Sequence, residues 1–169
     1  MIINVPKHIR TFVWSFLQDN NVGKRNKANG SKIEQYVGLL GECTVKWYLG
    51  IDYKLKDEFD NGVDFNYKSK KFDVKTMGRK VYPKPNYVNN FIAYQKDFNC
   101  DAYIFCSLNK TNYDLTICGW ATKEQLLERG ILYKQGTIRK RTDETTFKLK
   151  APTYEIKNTA LNNINTLWD

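Results

Sequence analysis

One histidine, His8, stands in a chain of 169 residues. Zinc chemistry built on a histidine cluster is thereby excluded. So is a Ser-His-Asp relay, unless His8 serves it. Cysteine is scarce as well: Cys43, Cys100, Cys106 and Cys118, with no CxxC spacing. Three of them lie in apolar strand-like or helical stretches, so reduced core thiols of an intracellular protein are expected. No run of about 18 apolar residues occurs, so no membrane span is expected. The opening MIINVPKHIR lacks the apolar core of a secretory leader, which again points to the cytoplasm.

What is present is aromatic and basic. Apolar residues make up 41% and aromatics 14%, enough for a core and against disorder. The length suits one domain spanning 1–169. The 27 Lys and Arg against 18 Asp and Glu leave a net charge of +9. Such an excess favours a polyanionic partner, because each phosphate neutralised releases counterions. The richness in Asn, Lys, Tyr and Ile matches an AT-biased genome, such as that of a phage or mobile element.

The spacing predicts a first helix within residues 3–20, with Phe12, Phe16 and Leu17 on one face. A polar loop follows over 20–31. Ser31 and Glu34 then form a capping box for a helix running to about Leu49 and stopped by Gly50. Gly38 and Gly41 inside that helix cost about 1 kcal/mol each against Ala, and such glycines usually mark a close approach. Strands are expected at 51–58, 63–67 and 72–77, forming a meander. A helix over 87–98 leads to a buried strand at 102–108, placed parallel to a neighbour. Another strand is expected at 113–118, a helix capped by Thr122 and Gln125 and ended by Gly130, a hairpin around 137–150, and a weak last helix. The class is α/β: helix, three-stranded meander, helix, strand, with a mixed central sheet flanked by helices.

Strand alternation selects the chemistry. Asp64 and Asn66 share one face of their strand, and Asp73 and Lys75 share one face of theirs. A tight turn centred between Ser69 and Lys70 sets Asn66 against Asp73 and Asp64 against Lys75. Asp64 then lies diagonal to Asp73, at roughly 7–8 Å between backbones. Two such carboxylates can lean on one hard cation, and Mg²⁺ prefers one or two carboxylates with waters and phosphate oxygens. Hydrolysis of a phosphodiester needs an activated water and charge neutralisation, which a carboxylate-held metal supplies. A lysine beside it can position the water or help deprotonate it.

Asp64 followed by Asp73-Val74-Lys75, behind a helix containing Gly41-Glu42, resembles the PD-(D/E)xK nucleases, a superfamily that includes restriction endonucleases, Holliday-junction resolvases and many phage nucleases. The resemblance covers residues 31–108. The segment Ile117-Cys118-Gly119-Trp120-Ala121-Thr122 also looks like one found in some small members. Val63 stands where the motif's name has proline, a position often not proline in the superfamily. The resemblance implies a restriction-endonuclease-like core and a Mg²⁺-dependent endodeoxyribonuclease, with Mn²⁺ as a substitute. It implies that Asp64 and Asp73 hold the metal, that the Val74 carbonyl joins them, that Lys75 is catalytic, and that Glu42 adds to the site directly or through water. A structure-selective resolvase, usually a homodimer, is an alternative. A catalytically idle nucleic-acid-binding module of the same fold is another.

Asn66 is either near the site or merely exposed, Gln95 is a weaker candidate, and Glu34 reads as a cap. Three basic clusters are candidates for contact with DNA. Lys24, Arg25, Lys27 and Lys32 precede the Glu42 helix. Arg79, Lys80 and Lys84 follow the Lys75 strand and are the best placed for phosphate. Arg139, Lys140 and Arg141 read as a solvated turn or a contact. Tyr82 and Tyr87 either stack on a base or pack on the prolines of their loop.

Overall fold

The computed structural model describes residues 1–22, 30–55, 62–141 and 144–167. The elements in chain order are β1 (Ile2–Asn4), α1 (Lys7–Asp19), α2 (Lys32–Tyr48), β2 (Phe65–Tyr67), β3 (Lys70–Arg79), β4 (Val88–Ile92), β5 (Ala102–Asn109), β6 (Asp114–Thr122), α3 (Lys123–Arg129), β7 (Ile131–Tyr133), β8 (Ile138–Lys140), β9 (Thr146–Lys148) and β10 (Thr153–Lys157). The architecture is mixed α/β.

A five-stranded sheet runs β1-β6-β5-β3-β2, and a three-stranded sheet runs β4-β10-β7. β3 and β5 are parallel, while the other pairs of the larger sheet are antiparallel, so the sheet is mixed as expected. α1 and α2 cover one face. Ile9, Val13 and Leu17 of α1 and Val37, Leu40 and Cys43 of α2 close over Phe72, Val74, Ile104, Cys106 and Leu115. Residues three and four apart on a helix share a face, which makes these stripes. The other face buries Tyr103 and Phe105 against Phe91, Leu126 and Ile156, that is, against β4, α3 and β10.

Local signals are kept where the chain caps itself. The Ser31 side chain accepts from Glu34 N, and the Glu34 carboxylate accepts from Ser31 N at 2.7 Å. Thr122 and Gln125 repeat the arrangement for α3. β8 and β9 form the hairpin expected around 137–150.

Three expectations are corrected. Residues 87–98 are not a helix: β4 is a strand, followed by a 3-10 helix at Ala93–Asp97. β10 pairs with β4 residue for residue and supplies a ladder that the local sequence cannot announce. The second face of the sheet is therefore covered by strands and the short α3. Residues 51–55 form no strand, and the rest of the expected strand at 51–58 lies outside the described residues. In place of a meander, β2 and β3 form a hairpin. Its turn is Lys68–Ser69, both at positive φ, which pairs Tyr67 with Lys70 and Phe65 with Phe72. Positive φ at both loop residues is what a type I′ hairpin requires.

In β6, Gly119 pairs with Phe105 and Ile117 with Cys106, so Cys118 is the extra residue of a bulge. A Cβ on Gly119 would meet the Asn162 carbonyl at 2.5 Å. Trp120 bonds that same residue through both backbone groups, which explains glycine there.

Candidate functional site

The hairpin register decides where Asp64 goes. β2 begins at Phe65, and Asp64 N donates to Phe72 O at 2.9 Å. Phe72 therefore faces two consecutive residues, the geometry of a bulge. Two residues further along β3, Val74 N donates to Asp64 Oδ2 at 2.7 Å. A carboxylate thus takes the place of a strand carbonyl at the edge of β3. This corrects the expected register: the carboxylate sits at Val74, between Asp73 and Lys75, not opposite Lys75.

Asp73 and Lys75 share a strand face, as alternation requires. Their side chains meet, Lys75 Nζ lying 2.6 Å from Asp73 Oδ2, with Asp73 3% exposed. In the parallel register Asp73 stands beside Tyr103 and Lys75 beside Phe105, on the sheet face that looks away from α2.

Glu42 approaches from the α2 side. A Cβ on Gly41 would lie 1.8 Å from Thr76 Oγ1, so only glycine lets the helix backbone come this close to β3. That contact fixes the height of Glu42 over the strand. Glu42 pairs with Lys46, one turn on, and both are largely buried. Burial alone pushes the Lys46 ammonium down. The carboxylates of Glu42 and, more weakly, Asp64 outweigh it, and the net shift is upward. Lys46 was not singled out from the sequence, although its spacing from Glu42 is the familiar Glu-to-Lys pair at i,i+4.

Asp64 is the hinge between the two groups. Its charge reaches Cys43 and Lys46 on α2, and also reaches Cys100, which feels Asp73 and Lys75 too. Three acids and two lysines thus converge on one stretch of β3: Glu42 with Lys46 from the helix side, Asp64 at the edge, and Asp73 with Lys75 from the opposite face. Among the described residues, no three of His, Cys, Asp and Glu are grouped as ligands of one ion. Val74 itself pairs with Ile104 in the sheet.

The remaining residues separate clearly. Asn66 is exposed and pairs with Lys71, away from the acids. Gln95 is buried in the 3-10 helix, and Glu34 is the cap. Arg79 is packed: its guanidinium donates to Val88 O at 2.7 Å and lies over the Tyr87 ring, which is itself buried. Burial holds the Arg79 pKa below the usual guanidinium range. Lys80 and Lys84 are exposed. Tyr82 is exposed, with its hydroxyl bonded to Asp114 and Asn112. The 139–141 cluster is internally satisfied, with Arg139 bidentate on Glu155, Lys140 paired with Glu144, and Arg141 over Phe147. Lys24, Arg25 and Lys27 lie outside the described residues. No helix among the described residues is long and apolar enough to cross a membrane.

Comparison of the chain with family models, curated proteins and solved structures gives no significant match.

Proposed function

We propose that this protein is a divalent-metal-dependent endonuclease of the PD-(D/E)xK kind, acting on DNA. The observation that carries the reading is the Asp64 carboxylate bonded to the backbone N–H of Val74, the strand residue between Asp73 and its partner Lys75. The donors there are all oxygen, which suits Mg²⁺ or Mn²⁺ over softer ions. Asp64, Asp73 and the Val74 carbonyl would hold the ion, which supplies a polarised phosphodiester and a nucleophilic water at neutral pH.

The chain's own residues prepare for that charge. Lys75 neutralises Asp73, and Lys46 neutralises Glu42. An unpaired buried carboxylate is costly, so these lysines stabilise the site until a cation arrives. Lys75 then has its ammonium beside the reacting phosphate, where it offsets charge and orients water. The net charge of +9 draws the polyanion in.

One observation favours a second reading, a nucleic-acid-binding module without catalysis. Glu42 and Asp73 each already have a lysine partner, and the described acids are not grouped as a ligand set. Incubating the protein with supercoiled, linear, single-stranded and four-way-junction DNA separates the two. Cleavage in Mg²⁺ or Mn²⁺ that stops with chelator supports the nuclease. Binding that ignores divalent metal, with no cleavage of any substrate, supports the module.

A further inference from the structure

Away from the acids, α1 sets Lys7, Arg10 and Trp14 along one face. With Thr11, Tyr36 and Tyr113 they line an open groove of about 300 Å³. Its rings and cations alternate. The Arg10 guanidinium lies over the Tyr113 ring at 4.6 Å, the Trp14 and Tyr36 rings meet edge to face at 5.6 Å, and Lys32 Nζ stands 5.6 Å above Trp14. Among the described residues, no carboxylate lines the groove. Trp14 is 52% exposed, a large ring left on the surface. Arg10 Nε is buried without a hydrogen-bond partner among the described residues. The start of α1 adds to the positive field: Pro6 gives no side-chain cap, and no acid occupies the first turn.

We propose that this groove docks a single-stranded nucleic acid, with one base stacked on Trp14 and the neighbouring phosphates met by Lys7, Arg10 and Lys32. A ring that takes any base and cations that track the backbone are the two parts of a sequence-tolerant strand site. Arg10 spends its flat face on Tyr113, which leaves its terminal N–H groups for phosphate. Lys32 sits near the outer limit of a cation–π contact, so an incoming base displaces it towards the strand. A duplex keeps its bases stacked inside and offers Trp14 nothing to stack on. The inference rests on nucleic acid being the partner, as proposed above, but not on cleavage.

The ligand class that fits the groove is single-stranded DNA, or duplex with a single-stranded tail.

Fluorescence anisotropy of a labelled twelve-residue oligo-dT, in excess EDTA so that nothing turns over, tests this. Trp14→Ala should weaken binding about tenfold, the scale of one lost base stack. Trp14→Phe should restore most of it, and affinity for a twelve-pair duplex should change less than twofold. The double change Lys7→Ala and Lys32→Ala should reduce the log–log salt slope by about 1.4, from about 0.7 per single-strand contact. That slope carries the test if Trp14→Ala melts early. The proposal is overturned if Trp14→Ala binds oligo-dT like wild type, if it weakens duplex equally, or if a poly-glutamate peptide competes as well as unlabelled oligo-dT. The assay reads binding without metal or turnover, so loss of oligo-dT affinity in Trp14→Ala and loss of Mg²⁺-dependent cleavage are separate results, and a dead groove and a dead metal site are told apart.

Discussion

Asp64 Oδ2 and the Val74 backbone N–H are joined at 2.7 Å, so a side chain completes the ladder of β3 where β2 stops. A bond from N–H to a carboxylate is shorter and roughly twice as strong as a neutral one. Asp64→Ala should cost about 1–3 kcal/mol by orphaning that N–H. Asp64→Asn keeps an acceptor and should retain most of that stability while losing metal-dependent cleavage. Melting curves and a cleavage assay on both variants check this, and equal cleavage by Asp64→Asn and wild type would remove Asp64 from the centre.

Lys75 and Asp73 should separate by role. Asp73→Asn removes a charge the cation needs, so Mn²⁺ binding by calorimetry and cleavage should fail together. Lys75→Ala should keep Mn²⁺ binding and lose cleavage by about 10²-fold, the scale of a lost proton-handling group. It should also lower stability, because it removes the cation beside a buried carboxylate. Cleavage is therefore compared well below each variant's melting temperature. Wild-type rates in both would refute the proposed site.

Gly41 and Thr76 are in contact, and a Cβ at 41 would fall inside the Thr76 side chain. Gly41→Ala should cost about 1–3 kcal/mol despite the better helix propensity of alanine. Adding Thr76→Gly should recover part of the loss, so the two changes would not add. Additive effects in chemical denaturation would show that the helix and strand do not touch here.

The thiols set a ceiling on alkaline stability. Burial pushes Cys100 up to about 12 and Cys118 up to about 11, and raises Cys43 and Cys106 as well. In the unfolded chain a thiol ionises near pH 8.5. The folded values are higher, so this stability is complete below about pH 8.5 and is lost as pH rises towards the folded value. The loss approaches about 1.4 kcal/mol per pH unit for each fully buried thiol. Melting temperature should fall from pH 8.5 upwards, and Cys100→Ala should flatten the fall. An unchanged slope would show that other groups set it.

Arg79 and Lys80 are neighbours with different duties. Arg79→Ala should destabilise by removing the bond to Val88 O and the cover over Tyr87. Lys80 is exposed, and Lys80→Ala should leave stability alone while lowering the duplex-DNA salt slope by about 0.9. If Arg79→Ala changes the slope and leaves the melting temperature untouched, the packed role assigned to Arg79 is wrong.

Legibility followed range. Both capping boxes, the 138–148 hairpin and the shared face of Asp73 and Lys75 depend on residues a few positions apart, and each is visible in the sequence. The β2–β3 turn was misplaced because Lys68 and Ser69 take positive φ without the glycine or asparagine that signals it. β4 read as a helix because its partner β10 follows far along the chain. The packing of Arg79 on Tyr87 and Val88 was not legible, because no local pattern announces their approach.

That distant pairing also orders assembly. When β4 leaves the ribosome, the residues that complete its ladder, 153–157, are not yet made. At about 5–20 residues per second they arrive seconds later. Until then Phe91 and Tyr103, which close on each other at 4.6 Å, have no Ile156 to cover them. On the helical face of the large sheet, all of the core but Ile164 and Leu167 is made before residue 153, while the second face waits for Ile156. A nascent protein stalled before residue 153 would hold β3, Asp73 and Lys75 on a sheet with one side still open to solvent.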